Sequence, residues 1–212
     1  MNKHRCVFGL AGFSNSGKTT LTVSLIKIFS QQGFSIGSIK HAHHNFQIDQ
    51  PGKDSWKHRE AGSQEVIVSS PKRIAHIIER GNNKEANLKE LLFLSNKKDI
   101  LIVEGFKKEH FPKLEVWREK ENNEILFFKD KDIFAIATDN PKNKKLTNIN
   151  KINILNLNDP KQIVEFLIYK FNLKKTKILN RKITNEMNFD QARKIILSKI
   201  KPLIKKETVP LQ

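Results

Sequence analysis

The 212-residue chain carries 39 Lys and Arg against 22 Asp and Glu, a formal charge of +17, with 38% hydrophobic and 29% charged residues. That is the length of one large or two small domains with enough apolar material for a core, which excludes a collagen-like or wholly disordered chain. The lone Cys6 cannot close an intramolecular disulfide, the apolar run from Cys6 to Leu10 is too short for a signal peptide, and no run approaches the ~18 residues of a membrane helix, so a cytoplasmic protein is expected.

In chain order, Cys6 to Ala11 (CVFGLA) reads as a short strand running straight into GFSNSGKTT. Leu21, Leu25, Ile28 and Phe29 then recur at helical spacing, Gly33 is a stop, and 34–39 reads as a second strand. Strand, glycine loop, helix and strand make a βαβ unit with a right-handed crossover. Further strands are expected at 65–69, 73–78, 100–103, 114–118, 125–128, 133–137 and 152–157, and helices at 54–61, 86–94 and 160–171. This mixture predicts a three-layer α/β domain with a largely parallel sheet. Two alternating runs around Asn122-Asn123 make 113–128 a β-hairpin added to that sheet.

Past Phe171 the character changes. Residues 172–187 are polar and basic and read as a linker, and 188–212 as a helical tail: Phe189, Ala192, Ile196 and Leu203 fall at offsets of 3, 4 and 7, the first three on an apolar helix face that Pro202 should end near Ile200 or Lys201. Up to Pro141 there are 22 basic and 17 acidic residues; beyond it, 17 basic and 5 acidic. Such a tail suits nucleic acid or an acidic partner, but it lacks interleaved aromatics and zinc spacing, so the solubilising reading is preferred.

The residues Gly12, Phe13, Ser14, Asn15, Ser16, Gly17, Lys18 and Thr19 fit G-x-x-x-x-G-K-[ST] in full, after a strand and opening a helix, with Thr20 following. The glycines admit close backbone approach, the loop N–H groups and the helix N-terminus surround phosphates, Lys18 reaches the β- and γ-phosphates, and Thr19 is a natural Mg²⁺ ligand. The pattern predicts a P-loop NTPase three-layer fold. The partner acid of this loop is expected at the end of a neighbouring strand, where Glu104 closes ILIVE and would hold Mg²⁺ or orient a water, with Gly105 letting the backbone near the γ-phosphate.

Asn96-Lys97-Lys98-Asp99 imitates a guanine-reading signature, but Asp99 starts the strand that Glu104 ends, roughly 16 Å away at ~3.3 Å per residue and on the wrong edge. Thr138-Asp139 follows the strand 133–137 on the correct edge. It is either a reader of guanine N1–H and the 2-amino group or an ordinary turn.

Lys40-His41-Ala42-His43-His44 also follows a strand, and Asp49, Gly52, Lys53 and Asp54 come soon after in DQPGKDS. The spacing argues against a structural zinc site and for a switch or partner loop over the phosphates, with Asp54-Ser55 available to cap a helix. Together the phosphate loop, KHAHHNFQIDQPGKDSWKHREAG and LIVEGFK resemble the molybdopterin-guanine dinucleotide biosynthesis adapter family, MobB, over about residues 7–169.

The resemblance implies a GTP-binding protein, Mg²⁺-dependent and at most a slow GTPase, usually a homodimer, that assists the guanylyltransferase MobA in joining GMP to molybdopterin. It would place Gly12 to Thr19 on the phosphates, Glu104 by the Mg²⁺, and His41 to Ser55 on the nucleotide or pterin side. From Phe189 to Leu211 the tail resembles the opening of MoeA, the molybdopterin molybdenumtransferase, which would make that protein a second partner. The alternatives are a small-molecule kinase or metallocentre-maturation GTPase on the same loop, or a basic nucleic-acid-binding module. A kinase needs an arginine-rich lid, and Arg59, Arg73 and Arg80 are dispersed.

Overall fold

The computed structural model describes residues 4–42, 46, 48–81, 85–119, 124–149 and 151–174. The expected tail helix, most of the basic linker and the Asn122-Asn123 turn lie outside them. The main sheet is built from β1 (Cys6–Ala11), β2 (Ile36–Lys40), β5 (Ile100–Glu104), β6 (Lys113–Trp117), β7 (Ile133–Thr138) and β8 (Asn153–Asn156) in the order β2-β5-β1-β6-β7-β8. Every pairing is parallel.

The strands follow from composition. CVFGLA, ILIVE and IFAIAT are apolar on both pleat faces, which suits strands covered on both sides and would expose half their surface in a one-sided sheet. On one face Phe8, Leu10, Ile102, Val116 and Ala137 pack beneath α1 (Lys18–Gln31) and α5 (Pro160–Lys170). On the other, Val103 packs with Leu88 at the start of α3 (Leu88–Leu94), and Trp117 and Ile136 with Leu146 of the short α4 (Lys144–Thr147). Cys6 belongs to the first of these clusters; burial pushes its thiol up to about 12, so it is a core residue and not a nucleophile.

Local chemistry sets the boundaries. α1 stops at Gly33 (φ 86°), where the Phe34 N–H donates to Phe29 O at 3.1 Å and the Gly33 N–H to Ser30 O at 2.9 Å, while the Phe34 and Phe29 rings meet edge-on with centroids 5.7 Å apart. This is a Schellman ending, and it holds Phe34 out of the strand, so β2 starts at Ile36 rather than at residue 34. Asn87 caps α3 by accepting from the Glu90 N–H, and Asp159 caps α5 by accepting from the Gln162 N–H.

One expectation fails. Residues 113–128 are not a hairpin: β6 lies between β1 and β7, parallel to both, and 126–128 form a 3₁₀ turn. Glu115 is the physical reason. Its carboxylate is wholly buried and accepts the Leu126 and Phe127 N–H groups at 2.7 and 2.9 Å, so this stretch closes over the acid instead of pairing as a strand. Burial raises the Glu115 pKa, and the two N–H donors pull it back. The structure's hairpin is instead β3 (Glu65–Ser70) with β4 (Arg73–Ile78), an antiparallel pair outside the main sheet that follows α2 (Asp54–Glu60). No described helix is long and apolar enough to cross a membrane.

Asp99 sits at the start of β5 as structural mortar. It accepts from the Ser35 N–H (2.9 Å) and hydroxyl (2.7 Å) and pairs with Arg5 at 3.0 Å. Asp99→Ala should therefore destabilise the fold by about 1–3 kcal/mol in urea titration. Nucleotide selectivity should stay as in the parent chain; a selective loss of GTP would reinstate the base-reading role.

Candidate functional site

Parallel register brings the strand ends together. Leu10 pairs with Glu104, Lys40 with Glu104, Ala11 with Glu115, and Trp117 with Thr138, so the segments that leave β1, β2, β5, β6 and β7 emerge at one edge. β1 is where the strand order reverses: the chain moves from it to one side through β2 and β5, then crosses to the other at β6. Ligands of open α/β sheets bind at such a crevice.

The loop after β1 is backbone-shaped. Gly12 (φ 144°) and Gly17 (φ 101°) take conformations that disfavour a side chain, and a Cβ on Gly12 would lie 2.4 Å from Val116 O. Asn15 also has positive φ (60°). Gly17 is the N-cap of α1, without a side-chain cap and with no acidic residue in the first turn, so the helix N-terminus keeps its positive end uncompensated. Ser16 is 3% exposed and its Oγ has no hydrogen-bond partner. A buried hydroxyl without a partner beside a glycine cradle and an open helix end fits an anionic oxygen.

Lys18 arches over the loop, donating to Gly12 O at 3.0 Å and Phe13 O at 2.6 Å. Burial lowers its pKa, nearby Lys107 lowers it further, and Glu104 opposes both. An ammonium held on two carbonyls is ready to exchange them for phosphate oxygens. Ser14, Asn15, Thr19 and Thr20 are exposed along the rim, and Phe13 is half-buried.

Glu104 closes β5 beneath this loop, 9% exposed. Its Oε2 lies 3.4 Å from the Thr19 hydroxyl, and its Oε1 is tightly hydrogen-bonded by the Thr22 hydroxyl, which also lies 3.0 Å from Lys18 O. One carboxylate and two hydroxyls on successive turns of α1 form a compact oxygen set that suits a hard cation. Gly105 (φ 95°) and Phe106 (φ 53°) turn the chain away, and a Cβ on Gly105 would lie 2.5 Å from His41 Cβ. His41 donates its backbone N–H to Glu104 O at 2.8 Å, lies over the Phe106 ring, and sets Nε2 2.9 Å from Glu85 Oε2.

Asp139 leaves β7 at the same edge and pairs with Arg118 at 3.0 Å, while Arg118 Nε donates to Ser16 O at 3.1 Å. Thr138 is fully buried, its hydroxyl accepting the Asn140 N–H. Asp49 accepts from the Ser55 hydroxyl at 2.8 Å and lies 3.7 Å from Arg59, which donates to Glu79 at 2.6 Å, so it ties the loop before α2 to that helix and the end of β4. Gly52 and Lys53 are exposed at the start of α2, with φ 84° at the glycine, and Asp54 forms an exposed pair with Lys57. His43 and His44 lie outside the described residues, among which no group of three or more His, Cys, Asp or Glu could hold a metal.

Two residues of this site escape sequence reading. Thr22 lies one helical turn beyond Thr19, a spacing that shares a face. Arg118 follows its strand directly, the same position after β6 that singled out Asp139 after β7.

Comparison with known proteins gives the family and the fold. The family model described as "MobB: Molybdopterin guanine dinucleotide synthesis protein B" matches residues 7–139. The molybdopterin-guanine dinucleotide biosynthesis adapter protein of Haemophilus influenzae is 36% identical over 154 residues, 72% of this chain and 86% of that one. Its Escherichia coli counterpart is 33% identical over 167 residues, 76% and 91% of the two chains. The crystal structure of Bacillus subtilis MobB superposes with a TM-score of 0.61 at 28% identity, covering 81% of this chain and 99% of that one. A MobB homologue from Bacillus stearothermophilus, at 21% identity and a TM-score of 0.58 over 82% of this chain and all of that one, shares the fold. With a model match across more than half its length and relatives above 30% identity along most of theirs, the chain belongs to the MobB family of molybdopterin guanine dinucleotide synthesis proteins.

Proposed function

We propose that this chain is a Mg²⁺-dependent GTP-binding adapter that serves a MobA-like guanylyltransferase in joining GMP to molybdopterin. The observation that carries the reading is the glycine cradle closed by Lys18 on one side and by Thr19 and Glu104 on the other. In it, Lys18, now on two loop carbonyls, would turn to the β- and γ-phosphates, the α1 N-terminus and Ser16 would supply further donors, and Thr19 and Glu104 would hold Mg²⁺. The cation would supply charge neutralisation on the phosphates. Guanine preference and molybdopterin as the partner's substrate are supported by the relatives being molybdopterin-guanine dinucleotide biosynthesis adapter proteins.

Hydrolysis is slow in this reading. Both Glu104 oxygens are engaged by threonine hydroxyls, which suits orienting a cation more than taking a proton from water. A kinase lid is disfavoured, since Arg59 is tied to Glu79 and Arg80 to Glu90.

The β3–β4 hairpin presents Ile67, Ile74 and Ile78 on one face, at 62%, 70% and 49% exposure. Alternation puts all three on the same side, around the exposed Glu65–His76 pair, a surface that one copy covers for another in a two-fold dimer.

Two measurements test these readings. Mg·GTP at about a hundredfold over Kd should raise the melting temperature by roughly 5–10 °C, and Lys18→Ala should abolish the shift; a shift unchanged in that variant removes Lys18 from the phosphates. Ile67→Asp with Ile74→Asp should convert the dimer to monomer in sedimentation while GTP-dependent melting persists. A dimer that survives both substitutions places its interface elsewhere.

A further inference from the structure

We infer that Arg118 and Asp139 form a brace that sets the Ser16–Gly17 peptide for triphosphate binding, so that Asp139 serves the phosphate loop through Arg118 instead of reading the guanine base. The inference rests on the nucleotide-binding reading above and assigns two further positioning residues to it.

The sheet dictates the pairing. Trp117 of β6 and Thr138 of β7 are register partners, so Arg118 and Asp139 are the next residues out on neighbouring strands. The Thr138 hydroxyl accepts the Asn140 N–H and closes the turn that carries Asp139. Across this short gap Arg118 Nη1 donates to Asp139 Oδ2 at 3.0 Å, which fixes the plane of the guanidinium.

The other side of that plane meets the loop. Arg118 Nε donates to Ser16 O at 3.1 Å, and a Cβ built on Gly17 would lie 3.6 Å from Nη2 and 3.7 Å from Nε. A trans peptide is planar, with its C=O and its N–H pointing in opposite directions. Holding Ser16 C=O towards Arg118 therefore aims the Gly17 N–H away from it. Gly17, at φ 101°, has no Cβ to resist rotation of this peptide, and it immediately precedes the first residue of α1. The same peptide leads to Lys18, so its orientation also sets where the ammonium begins its reach.

Two details agree with a brace and not with a base reader. A carboxylate that reads N1–H and the 2-amino group needs both oxygens turned to the base, whereas Asp139 gives Oδ2 to Arg118. The Ser16 carbonyl is satisfied from outside the loop while its buried hydroxyl has no partner, which leaves the donors of the cradle directed inwards.

The test titrates Mg·GTP, Mg·ATP and inorganic tripolyphosphate into the full chain and into Arg118→Ala, Arg118→Lys, Asp139→Asn, the Arg118→Ala/Asp139→Asn double variant and Lys18→Ala, with melting of each unliganded protein alongside. Arg118→Ala should weaken all three ligands by a common factor, roughly ten- to a hundredfold. Asp139→Asn, which keeps the shape of the side chain, should weaken all three equally and by less. The double variant should bind no more weakly than Arg118→Ala, because both act through one contact. Arg118→Lys should restore part of the affinity, since one ammonium reaches Ser16 O without the planar fork.

Loss of GTP alone in Asp139→Asn, with ATP and tripolyphosphate unchanged, would make Asp139 a base reader and overturn the brace. Parent-like binding by Arg118→Ala would overturn it as well, as would losses that add fully in the double variant. If the parent chain binds none of the three and Lys18→Ala changes nothing, the nucleotide-binding reading fails and the brace falls with it; normal Lys18 dependence with parent-like Arg118 and Asp139 variants removes the brace alone.

Discussion

Parallel strand pairing is the constraint from which the site follows. Strands that run the same way deliver their C-terminal ends to one edge, and in this sheet the residues at those ends are Gly12 after β1, His41 after β2, Glu104 at the end of β5, Arg118 after β6 and Asp139 after β7. They are spread over more than a hundred and twenty positions of sequence, yet hydrogen-bonded register leaves them little freedom to sit elsewhere. An antiparallel arrangement of the same strands would send alternate members of this set to the opposite edge.

The electrostatics at that edge are lopsided. The N-terminus of α1 carries no acidic residue in its first turn, Lys18 is partly desolvated, and Lys107 stands near enough to lower its pKa. Glu104 is the carboxylate set among these charges, and two threonine hydroxyls hold it in place. Cations converging on a glycine-lined hollow repel one another, and an anionic ligand there would relieve that repulsion. The hollow is a binding device first.

Away from the edge, the buried charges of β6 are answered. Lys113, 3% exposed, is met by Asp130 at 2.9 Å and by Glu109 O at 2.8 Å, and Glu115 by two backbone N–H groups. These contacts explain why β6 is an interior strand despite its charged residues. They also explain why a pattern that reads as alternating, and hence as a hairpin, is not one. Alternation reports polarity, and here the polar members face inwards to partners supplied by the segment that follows.

By itself, the amino-acid sequence determined the phosphate loop, its strand and helix, the parallel three-layer class and the acid at the end of ILIVE, because each depends on local backbone chemistry or on an apolar run that cannot face water. It also separated Asp99 from Glu104, since five extended residues must span the sheet. Only the tertiary structure decided the role of 126–128, the placement of the true hairpin at β3 and β4, and the meeting of Arg118 with both Ser16 and Asp139. Those outcomes depend on which distant group answers a buried charge or a backbone carbonyl, and that is a property of strand order and register, which no stretch of neighbouring residues contains.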